Sequence, residues 1–87
     1  MEKIDYAAVK IYPYDLDAPM IITGLRHPEI YEYLWEKGIR FEKDKAEEGF
    51  LTNTNCFVDR YKARTIAFKA KQIKEIPTAP LYSEDLW

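Results

Sequence analysis

The chain has 87 residues, 13 basic and 15 acidic, and a formal net charge of −2. That length is one domain, burying roughly 60 to 65% of the surface of its unfolded chain, so its core is thin and self-association is plausible. The near-balanced charge excludes the basic field that neutralises a nucleic-acid duplex, while leaving room for a small anion held by one or two arginines.

Residues 3–12 are rich in Ile, Val and Tyr and alternate in part, with Ile4, Tyr6 and Ala8 on one side and Asp5, Ala7, Val9 and Ile11 on the other. This pattern predicts a strand. "PYDLDAP" (13–19) has the prolines and aspartates of a reversing loop, and "MIITG" (20–24) then reads as a short second strand, antiparallel to the first.

Pro28 suits the first position of a helix over 28–37, with His27 at the N-cap and Glu29 against the positive end of the dipole. Ile30, Tyr31, Leu34 and Trp35 form the expected apolar stripe, and Gly38 is the expected C′ residue. "IRFEKDKAEE" (39–48) begins with a possible strand fragment and reads for the most part as an exposed, charged connection. "GFLTNTNCFVD" (49–59) predicts a small hairpin or a loop with short flanking strands.

Asp59 is the expected N-cap of a second helix, "RYKARTIAFKAKQI", in which Ala63, Ile66, Ala67 and Ala70 recur at helical spacing. Pro77 and Pro80 end it and leave residues 74–87 as an extended tail. The whole is expected to be one α+β domain, a small antiparallel sheet packed with two helices. The single cysteine, Cys56, reads as a buried small hydrophobe, and no signal peptide or apolar run near the roughly 18 residues of a membrane span is seen, so a cytoplasmic protein is expected.

Four stretches could carry chemistry. In "GLRH", Gly24 permits a tight turn, Arg26 offers a planar donor fork, and the first helical turn after His27 offers free N–H groups: an anion clamp, or simply a turn and a cap. His27 has no identified nucleophile or carboxylate to serve as a general base. "TNTN" (52–55) gathers groups able to read a nucleobase, or ordinary turn chemistry.

Arg60 opens the second helix against the positive dipole end, which points to a partner, either an acid of this chain such as one in the tail or an anionic ligand. In the tail, Leu81, Tyr82, Leu86 and Trp87 are expected to pack across a groove on this or a neighbouring subunit, with Glu84 and Asp85 meeting Arg60 or Arg26. No metal set and no cofactor motif is present.

Taken in order, "GLRH", "GF-T" at 49, 50 and 52, "FVDR" at 57–60, Ala63 and Ala67, Gln72 and "LYSEDLW" resemble a widespread family of short phage-encoded proteins with G-x-R-H, G-F-x-T, F-V-D-R-x-x-A and L-x-S-E-D-L signatures. The likeness covers about residues 20–87. Lys71 departs from it, standing where a helix-ending glycine is expected. The family is similar to viral sponge proteins that sequester nucleotide signals of anti-phage defence, namely cyclic dinucleotides such as cGAMP and cyclic ADP-ribose isomers.

The resemblance implies a non-enzymatic homo-oligomer, with a tetramer favoured and pockets near subunit interfaces. In that reading Arg26 and Arg60 meet phosphate, Thr52 and Asn53 lie near base or ribose, Phe50 or Tyr82 stacks, and His27 belongs to the same ligand site. A phage inhibitor that binds a host protein directly is the alternative. An enzyme degrading such signals is disfavoured by the single histidine.

Overall fold

A computed structural model describes residues 1–87. Strands β1 (Ile4–Ile11), β2 (Met20–Gly24), β3 (Glu47–Thr52) and β4 (Phe57–Asp59) form one sheet in the order β2-β1-β3-β4, every neighbouring pair antiparallel. Helices α1 (His27–Glu36) and α2 (Arg60–Lys69) pack on the same face, their Ile30, Leu34, Ala63 and Ala67 sharing one core with Ala7, Val9, Ile11, Phe50, Val58 and Leu81. This is the expected α+β architecture, with the core between a single sheet and its two helices.

Alternation along β1 follows the sequence pattern except at its start. A register irregularity between Ile4 and Tyr6 moves Ile4 onto the face of Ala7, Val9 and Ile11, where it is buried. A bulge of this kind inserts one residue and so reverses the side-chain alternation on its far side. The opposite face carries Tyr6, Leu51 and Phe57 as direct cross-strand neighbours, beside Gly49 and Ala8. Gly49 is required there: a Cβ would overlap the Val58 carbonyl oxygen and stand 2.8 Å from Cζ of Phe57.

Helix α1 starts one residue before its expected first position. Arg26, extended at φ −135°, is the N-cap, and His27 is already helical. Its end is as expected, with Gly38 at φ 67°, a conformation that L side chains avoid. Asp59 caps α2 by accepting a hydrogen bond from the Lys62 N–H at 2.6 Å.

Lys71, in the position where a glycine is expected, adopts φ 61°. Next to it the Gln72 amide grips the start of β1 in both directions, donating to the Ile4 carbonyl at 2.8 Å and accepting from the Ile4 N–H at 2.9 Å. No helix is long and apolar enough to cross a membrane.

Two expectations are corrected. Cys56 is exposed, its Sγ 3.6 Å from Thr54 Oγ1 in the β3–β4 turn, because Val58 and Phe50 already fill the core beneath. The tail packs on its own chain, one of the two places expected for it, but is not extended throughout: Leu81 is fully buried, its N–H donates to the Arg60 carbonyl at 3.0 Å, and residues Ser83–Asp85 form a 3-10 turn.

Candidate functional site

The signature residues meet at one seam, where α1 begins, β3 passes and the tail returns. His27 is buried there, and its Nε2–H donates to the Gly49 carbonyl at 2.8 Å, which fixes the tautomer. Its ring meets Phe50 edge to face at 5.2 Å, and its main-chain N–H points to Ser83 Oγ at 3.4 Å. Arg26 donates through Nη2 to the main-chain oxygen of Trp87. His27 and Phe50 therefore serve the core here rather than an open pocket.

Thr52 and Asn53 are likewise occupied. Thr52 Oγ1 accepts from the N–H groups of Thr54 and Cys56 at 3.3 and 3.2 Å, which is turn chemistry. Asn53 ties down the chain start, accepting from Lys3 N–H at 3.0 Å and donating to the Met1 carbonyl at 3.2 Å.

Arg60 finds its partner within the chain, but in β3 rather than in the tail. Its guanidinium lies 3.4 Å from Glu48 Oε1 and stacks over the Tyr82 ring, 5.1 Å from its centroid. Asp85, exposed, caps its own turn instead by accepting from the Tyr82 N–H at 2.9 Å. The local chain geometry explains the exchange: the tail crosses at Arg60 through main-chain bonding, leaving the guanidinium free to reach the neighbouring strand.

Glu48 also accepts from the Tyr31 hydroxyl at 3.0 Å. The Tyr31 phenol is pushed up to about 12, first by burial, then by its hydrogen bond to Glu48 and the charge of that carboxylate, against a smaller opposing pull from Arg60. Tyr31 faces two ways. On one side it joins Glu48, Arg60 and Tyr82; on the other it lines the largest cleft of the molecule.

That cleft, about 590 Å³, lies between the second half of α1 and the segment 39–44. Its aromatic walls are Tyr14, Tyr31, Trp35 and Phe41, with Leu34 and Ile39 between them and Arg40 and Lys43 at its rim beside Glu42 and Asp44. The segment is fixed by main-chain bonds from Tyr14 N–H to Arg40 and from Glu42 N–H to Tyr12, around a bridge between Pro13 and Phe41. Its volume falls in the range of small-molecule sites, its rings offer stacking faces, and its two cations are matched by two acids.

None of the seven residues that sequence reasoning singled out as ligand-binding lines this cleft or the two smaller ones. The sequence did hold a signal. Trp35, expected in the apolar stripe of α1, stands 86% exposed instead, because it lies about 140° around the helix from Ile30 and about 100° from Leu34. Ile39 and Phe41, read as a possible strand fragment at the start of a charged connection, pack partly buried against the core, with Phe41 in a bridge to Pro13.

Compared with known proteins, residues 3–87 match the family described as phage T4 y16D protein. No curated protein and no solved structure matches the chain.

Proposed function

This chain belongs to the phage T4 y16D protein family, and on that premise we propose that it is a phage sponge that binds a cyclic nucleotide defence signal, a cyclic dinucleotide such as cGAMP or a cyclic ADP-ribose isomer, without cleaving it. The observation that carries the reading is the convergence of four aromatic rings and two cations on one cleft. Bases stack on Trp35 and Tyr14, and phosphate meets Arg40 and Lys43. Stacking contributes about 1 to 3 kcal/mol per base, and cation contacts to phosphate add orientation.

In this reading the signature residues Arg26, Arg60 and Tyr82 act from the other side of Tyr31. They hold the tail and Glu48, and through the Tyr31 hydroxyl they set the cleft wall. The signature resemblance adds assembly as a homo-oligomer, with a tetramer favoured. The acids Glu42 and Asp44 offset the rim cations, so binding rests on stacking more than on net charge.

A second reading, direct inhibition of a host protein, is favoured by the 86% exposure of Trp35, since an indole standing clear of a surface is a common anchor at protein interfaces. One experiment separates the two. Purified protein is incubated with a panel of cyclic nucleotides, free ligand is measured, and the protein is then heat-denatured and the ligand measured again. Depletion followed by intact recovery is expected. Altered product or no depletion of any signal contradicts the sponge reading.

A further inference from the structure

Strand β2 ends the sheet on one side, and its outer row of main-chain groups has no strand partner. Natural sheets shield such an edge with charged residues, proline, bulges or short length. The opposite edge, β4, is three residues long and ends in Asp59. Strand β2, Met20–Gly24, is longer and holds no charge and no proline. Leu16, Ile21 and Leu25 stand 52%, 44% and 53% exposed in and beside this strand.

The flanks of β2 carry opposite charge: Asp15 and Asp17 precede it, and Arg26 follows it. Antiparallel pairing of two copies exchanges the ends of the strand. Asp15 and Asp17 lie in the bent loop before the strand and Arg26 in the bend after it, so the exchange sets opposite charges at each end of the contact. Arg26 uses one nitrogen on the Trp87 oxygen and keeps the rest of its five-donor fork for a carboxylate.

We infer that the free edge of β2 pairs with β2 of a second copy of this chain, about a two-fold near the strand centre, so that two four-stranded sheets run on as eight strands and Arg26 meets Asp17 across the contact twice. The pairing is isologous, as closed dimers require. It supplies a first contact for the homo-oligomer proposed above, and its test is read without nucleotide, so that either reading can fail alone.

The test is the native mass of the unliganded protein and of two charge reversals. The wild type is expected to rise from the 10.3 kDa of one chain to at least twice that mass, over roughly 1 to 100 μM, since strand-edge contacts are small. Asp17→Arg and Arg26→Glu each shift the association at least 10-fold to higher concentration, and the double variant restores it. If Arg26→Glu fails to fold, Asp17→Arg, remote from the Trp87 contact, carries the comparison together with amide exchange of Met20–Gly24, which slows as wild-type concentration rises. A wild type that stays at one chain mass at 100 μM, or reversals that leave the association unchanged, overturns the inference.

Discussion

Lys71 shows how one residue can be out of step with its place. The backbone turns there at φ 61° to end α2, and a lysine side chain is strained in that region by about 1 to 2 kcal/mol. Lys71→Gly relieves the strain and gives back part of it as unfolded-state entropy. The urea midpoint is expected to rise by the equivalent of about 0.5 to 1 kcal/mol, and an unchanged or lowered midpoint contradicts this account of the turn.

Tyr31 offers a second test at the same scale. Its folded-state phenol is raised, so the stability linked to its neutral form is present below the ordinary tyrosine value of 10 and is lost as pH rises towards about 12. In a tyrosinate absorbance titration, one of the seven tyrosines is expected to ionise late. Glu48→Gln removes the charge but not the burial, so the late tyrosine moves only part of the way back towards 10. A titration with no late component rules out the buried Tyr31–Glu48 contact.

At the level of elements, what could be read from sequence was what local chemistry dictates. Asp59 before an alanine-spaced run signals a cap and a helix, and the structure has both; Asp59→Ala is expected to cost about 1 kcal/mol in thermal or urea unfolding. Proline and the Gly38 signal likewise bound α1 to within a residue. What sequence could not give was where each side chain finds its partner. Arg60 called for an acid, but that the acid is Glu48 of β3 depends on sheet order β1-β3-β4, which no local pattern encodes.

The site shows the same division. Arg26, His27, Phe50, Thr52, Asn53, Arg60 and Tyr82 were chosen for side-chain chemistry, and that chemistry is used, but largely to join α1, β3 and the tail. A histidine beside a helix start can serve a ligand or a neighbouring carbonyl equally well. Only the fold, by bringing Gly49 within 2.8 Å of Nε2, decides between them. Cys56 fails for the mirror reason: its place between apolar residues suggests burial, but a turn lifts it clear.

On the scale of the whole molecule, a chain this short divides its surface between a thin core and features that it does not bury alone. The seam of signature residues closes the core by docking Leu81 and the tail. Four of the aromatics outside that core, Tyr14, Tyr31, Trp35 and Phe41, line a cleft between the second half of α1 and the 39–44 segment, and β2 ends the sheet with no strand beyond it. The proposed ligand capture is assigned to the cleft, while Arg26 holds the Trp87 oxygen and Arg60 pairs with Glu48.

Equilibrium dialysis of a captured cyclic nucleotide against wild type and Trp35→Ala tests this most directly, because Trp35 is too exposed for its loss to disturb the core. Loss of one stacked base, about 1 to 3 kcal/mol, corresponds to a dissociation constant roughly 5- to 150-fold weaker, and that is the expected result. Retention by Trp35→Ala equal to that of wild type, or no retention by wild type at all, contradicts the account.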